Sequence, residues 1–137
     1  MLQLLPDFPR PCADSHCDFL LLYQGAPQPH LLVYEKHRDF LSAPRSYVVV
    51  ALQCHVSALV LASDARYPGV EYDELGNMQE VGLFYLSDSE HADEKQRHLL
   101  ISFPSQYIEA LIDGIELRAE ILASSAQAAL KQVLAAG

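Results

Sequence analysis

Cysteine, histidine and aspartate crowd one stretch near the start of the chain, Cys12-Ala13-Asp14-Ser15-His16-Cys17-Asp18. Thiolates and imidazoles are good zinc ligands, and Cys54-His55 could add donors from a distance, so Cys12, His16, Cys17 and Cys54 form a weak candidate metal set. The spacing is not C-x2-C and no second paired half follows. Free thiols in a small core are therefore the preferred reading, and no cofactor is expected. The same stretch could hold a nucleophile, because a catalytic cysteine needs a base beside it and His16, oriented by Asp14, is adjacent in sequence. Nothing else marks an oxyanion site.

Carboxylates gather twice, as Glu71, Asp73 and Glu74 and as Asp88, Glu90, Asp93 and Glu94. Such groups can bind hard cations or exchange protons, but the second lacks the glycine and terminal glutamate of a calcium loop. Both fall in connections, where charged side chains face water. If the acidic surface has a function, these seven residues are where a basic protein partner is expected to touch. The histidines His30, His37, His55, His91 and His98 are scattered, and His55 reads as a hydrogen-bonded core residue. Tyr23, Tyr34, Tyr72 and Tyr85 read as packing, since no basic residues cluster beside them. No glycine-rich phosphate loop, G-x-S-x-G or H-E-x-x-H is present.

The whole chain of 137 residues fits a single domain, and its 50% apolar content supplies a core. Its 18 acidic and 9 basic side chains give a net charge of −9, which disfavours contact with phosphate backbones and anionic membranes but suits a basic protein partner. The N-terminal apolar run is cut at Pro6 before any basic residue, so no secretion signal is read, and a cytoplasmic location with reduced cysteines is expected. The apolar run 47–62 is too short to span a membrane and is interrupted by Gln53, His55 and Ser57.

The elements that must position these residues read as follows. Residues 1–16, with three prolines, form an extended arm. Residues 17–24 and 30–36 are strands of a hairpin closed by a Gly/Pro loop. For 47–62, the β-branched Val48-Val49-Val50 and period-two polar residues favour a strand, while length and a Ser46 cap favour a helix; the helix is preferred. Residues 70–72 and 78–87 flank a turn at Gly76-Asn77, and 99–103 is a further strand. A helix starts at Pro104-Ser105 on the spacing of Tyr107, Ile108, Leu111 and Ile112, and Asp113-Gly114 ends it. Residues 115–121 alternate apolar and charged as a strand with one wet face. Ser124 or Ser125 caps a last helix with a stripe of Ala126, Ala129, Leu130, Val133 and Leu134. The expected fold class is α+β, a mainly antiparallel sheet of about five to seven strands with two or three helices packed on it and the C-terminal helix last.

In size and charge alone the chain is similar to bacterial secretion chaperones, immunity proteins and phage inhibitors, and no motif carries that likeness. The expected function is a regulatory protein that masks a partner, with homodimerisation through an edge strand or the last helix as an extension. The alternative is a small enzyme or ligand-binding domain with a site assembled from His16, Cys17, His55 and Glu71.

Overall fold

A computed structural model describes residues 2–12, 17–24, 27–40, 42–62, 82–86, 97–103 and 107–136; for Leu2, 54–62, Leu86 and Tyr107 it describes the backbone alone. The strands are β1 (Leu2–Leu4), β2 (Phe19–Leu22), β3 (His30–Glu35), β4 (Ser46–Ala62), β5 (Gly82–Leu86), β6 (Arg97–Ser102) and β7 (Tyr107–Leu122), followed by helix α1 (Ala126–Ala136). All seven strands join one antiparallel sheet in the order β1-β5-β6-β7-β4-β3-β2. The expected antiparallel sheet is present, but among the described residues it carries one helix rather than two or three.

Two expected helices are strands, for identifiable reasons. The 17 residues of β4 are apolar on both sides because both sides are covered. Val48, Val50 and Leu52 enter the main core, while Tyr47 and Val49 lie under α1. A strand buried on two faces shows little alternation, and its length is accommodated by bulges rather than turns. Register shifts fall between Val49 and Val50 and on either side of Cys54. Residues 107–112 likewise belong to β7, where Ile108, Ala110 and Ile112 face the main core two by two. Asp113-Gly114 does not terminate anything. Gly114 sits within β7 opposite Gln53, and Asp113 is the extra residue of a bulge between the Gln53–Gly114 and Cys54–Ile112 pairs.

The alternation over 115–121 also has a different meaning from the one expected. Val50 pairs with Leu117 and Val49 with Ala119, so Arg118 is skipped. That single extra residue exchanges the two faces, because side-chain direction has a period of two. Ile115 packs on the main core, whereas Ala119 and Ile121 pack beneath α1.

The sheet rolls up. Phe19 of β2 and Phe103, just beyond β6, stack with ring centroids 4.0 Å apart. These strands are separated in the sheet order by β3, β4 and β7, which would place them about 19 Å apart in a flat sheet. The main core therefore fills the concave side, and α1 covers part of the convex side. The N-terminal arm closes the roll. Its first residues pair with β5 and Leu5 N–H donates to the Leu83 carbonyl, while further on Pro11 bridges to Lys36 and Tyr34 Oη donates to the Pro9 carbonyl at 2.6 Å. Leu5 and Phe8 pack on the main core between these two attachments.

Helix α1 starts as its sequence indicates. Ser125 Oγ accepts the Ala128 N–H at 3.0 Å, the N-cap bond that satisfies one of the helix's orphan donors. Ala126 and Ala129 are buried against the sheet, with Leu130 and Val133 beside them and Leu134 exposed. No helix of the described residues is long and apolar enough to cross a membrane.

Candidate functional site

Polar and reactive side chains collect at three places on this frame. The first lies where the arm, β2 and β3 meet. Glu35 N–H donates to the Asp18 carbonyl, and the Glu35 carbonyl accepts the Cys12 N–H at 2.8 Å and lies 3.9 Å from Cys17 Sγ. The Asp18 carboxylate accepts from the Ala126 N–H at 2.7 Å and from Tyr47 Oη at 3.3 Å. Asp18 thus adds a second, distant cap to α1, where a carboxylate also complements the positive end of the helix. Burial is the main cause pushing the Cys17 thiol up to about 12, reinforced by the negative charges of Cys12 and Glu35. A thiol so held is a poor nucleophile at neutral pH.

Burial also pushes Tyr47 up to about 12, helped by Asp18 and Glu35, and raises Tyr34 as well. All three groups keep their protons in the folded chain to higher pH than in the unfolded one, where the thiol titrates near 9.0 and the phenols near 10.0. The folded state binds more protons over the window from pH 9 to about 12, so stability falls as pH rises through it, by about 1.4 kcal/mol per pH unit for each group titrating only when unfolded. Urea midpoints measured across that window are expected to fall steadily. Tyr47→Phe and Cys17→Ser are each expected to flatten the slope, and an unchanged slope in both variants would contradict the assignment.

The second place is the turn end of the β2–β3 hairpin. His30 is 1% exposed, with the Tyr23 ring edge-on at 5.5 Å. Its Nδ1 accepts the Gln24 backbone N–H at 2.9 Å, which assigns the proton to Nε2. Nε2 is buried without a hydrogen-bond partner among the described residues, and burial pushes the imidazole's pKa down. A ring with Nδ1 occupied and Nε2 protonated offers no lone pair to a metal. Close by, a shallow cleft of about 210 Å³ opens on the convex side between Pro29, Gln53, Gly114 and Arg118, with Arg118 paired to Glu116 at 3.4 Å on its rim. The paired rim leaves no unbalanced charge from those two side chains to orient a ligand.

The third place is the pair His98 Nε2 and Glu109 Oε2, 3.3 Å apart with side chains 1% and 2% exposed. His98 faces Leu111 across the β6–β7 ladder and Glu109 faces Leu100, so the two are diagonal neighbours on the face opposite the main core. Sequence reading passed over this pair: His98 stood among scattered histidines and Glu109 inside an expected helix. Ten residues lie between them in sequence, and the antiparallel pairing of β6 with β7 brings them together.

The sequence-derived candidates fare unevenly. Cys12 and Cys17 do come together, about the Glu35 carbonyl. Cys54 and His55 lie within β4 beyond Leu52, toward the opposite end of the strand from the Tyr47 that pairs with Glu35, and are described by their backbone alone. His16 and all seven acidic positions, Glu71, Asp73, Glu74, Asp88, Glu90, Asp93 and Glu94, lie outside the described residues. Among the described residues no three His, Cys, Asp or Glu side chains gather as metal ligands.

Among the described residues, one margin of the sheet is also exposed to pairing. β2 ends the sheet order, with no strand beyond it. The Glu35 N–H to Asp18 carbonyl bond shows that Asp18, Leu20 and Leu22 direct their backbone groups at β3. Phe19 and Leu21 therefore direct theirs outward. Comparison with known protein families, with curated proteins and with solved structures finds no match for this chain.

Proposed function

We propose that the protein is a regulatory binding protein that masks a partner by accepting one of its strands alongside β2. The observation that carries this reading is the margin left open among the described residues: an apolar strand, Phe-Leu-Leu-Leu, with two residues whose backbone donors and acceptors point away from β3. Such a margin is a template for strand addition, in which backbone bonds give affinity and alternate side chains give selectivity. The net charge of −9 supports a basic partner, with Glu71, Asp73, Glu74, Asp88, Glu90, Asp93 and Glu94 as the proposed points of contact.

The direction of the backbone groups supplies a discriminating test. Leu21→Pro removes an outward N–H and blocks strand addition while leaving the β2–β3 ladder whole. Leu22→Pro removes an N–H bonded to β3 and is expected to destabilise the hairpin by about 1–3 kcal/mol, the cost of leaving its β3 acceptor unpaired. A protein captured from cell lysate by the wild-type chain is expected to be lost with Leu21→Pro and released by raised salt. Retention of the same protein by Leu21→Pro, at unchanged salt sensitivity, contradicts the reading.

The buried His98–Glu109 pair favours a second reading, an enzyme in which the carboxylate orients a histidine for proton transfer. A proton-transfer pair must reach its substrate, however, and both side chains are almost wholly shielded. That burial suits an internal structural pair better.

A further inference from the structure

We propose that Cys12 and Cys17 are a modification site, a dithiol that closes to a reversible disulfide where the N-terminal arm crosses onto β3. Both thiols are free and half-buried. Four residues separate them in sequence, yet the single Glu35 carbonyl takes the Cys12 N–H at 2.8 Å and faces Cys17 Sγ at 3.9 Å. The chain is pinned on both flanks, by the Pro11–Lys36 bridge on one side and by the Glu35 N–H to Asp18 carbonyl bond on the other. The two cysteines therefore meet because the fold returns the chain to one point, and Cys12 lies close enough for its charge and its backbone N–H both to act on the Cys17 thiol.

The oxidant is a small disulfide of the glutathione class. The Cys12 thiolate attacks one of its sulfurs, forming a mixed disulfide and expelling one glutathione thiolate. Cys17 then gives up its proton, its sulfur attacks the Cys12 sulfur, and the second glutathione thiolate leaves. Two protein thiols are oxidised, one glutathione disulfide is reduced, and the two protons pass to the two departing thiolates. Because burial pushes the Cys17 thiol up to about 12, the second step is the slow one at neutral pH, gaining about tenfold per pH unit. The closed ring fixes the arm at the place where it seals the roll, so oxidation tightens the fold and reduction loosens it.

The reduced full-length protein is incubated with glutathione disulfide near neutral pH and at about pH 9. Remaining thiols are alkylated, and the denatured chain is cleaved before Asp14, which lies between the two cysteines. The expected result is a pair of fragments joined by one disulfide, formed faster at the higher pH, within a monomeric chain whose melting temperature has risen by about 5 °C. Dithiothreitol reverses all of it, and Cys54→Ser behaves identically. Glutathione left on Cys12 without closure at the higher pH overturns the proposal, as does pairing with Cys54 or with a second chain.

Discussion

Glu109→Ala lowers folding stability by about 3–5 kcal/mol, the largest effect expected of any single substitution discussed for this chain. The reason is asymmetric. Glu109 and His98 sit 3.3 Å apart with almost no contact with solvent, so removing the carboxylate takes from a buried imidazole the acceptor it faces across the ladder. His98→Ala in turn takes from the buried carboxylate the ring nitrogen it faces. Glu109→Gln keeps an acceptor oxygen facing His98 and is expected to cost about 1–2 kcal/mol. Replacing both, as His98→Leu with Glu109→Met, removes both polar groups together and is expected to cost less than the two single losses summed, because neither substitution then leaves the other's partner unmatched. Urea denaturation of His98→Leu, Glu109→Met and their combination closes the cycle. Losses that simply add in the double variant contradict a coupled pair.

Removal of residues 1–12 is the second large perturbation. The arm contributes the β1–β5 pairing, the Leu5 N–H bond to Leu83, the Pro11–Lys36 bridge and the acceptor for Tyr34 Oη, and it places Leu5 and Phe8 on the main core. Burial of the two side chains and the hydrogen bonds together contribute about 4 kcal/mol, a large share of what holds an ordinary domain folded. The truncated chain is expected to melt far below the full one or to lose cooperative unfolding altogether. Phe8→Ala alone should cost about 2 kcal/mol, the partial burial reducing the usual value for a buried phenylalanine. A truncated chain that melts with the full-length one would show that the roll closes without its strap.

Legibility followed locality. The α1 boundary was readable because its signals, Ser125 followed by a stripe at helical spacing, lie within one turn of each other. The β2–β3 hairpin was readable because its strands and its Gly/Pro loop are contiguous. The strand over 47–62 was misread because burial on both faces blurs the period that marks a strand, and because the bulges that permit its length leave no turn residue behind. At Arg118 an unbroken alternation concealed an exchange of faces, since a bulge adds a residue without any compositional mark. The candidate sites divide in the same way. Cys12 and Cys17 stood out as a dense cluster, although what joins them is the Glu35 carbonyl of another strand. His98 and Glu109 left no local trace, because a diagonal contact between strands exists only once the register of β6 and β7 is known. Charge was informative about partners and silent about architecture.

Strand addition beside β2 is the central claim, and amide hydrogen exchange reads it residue by residue. In the free protein the amides of Leu20 and Leu22, directed at β3, should exchange slowly, and those of Phe19 and Leu21 quickly. In the complex with the captured partner, the Phe19 and Leu21 amides are expected to slow to the level of their neighbours while β4 and β7 remain unchanged. Exchange at Phe19 and Leu21 that stays as fast in the complex as in the free chain contradicts the account.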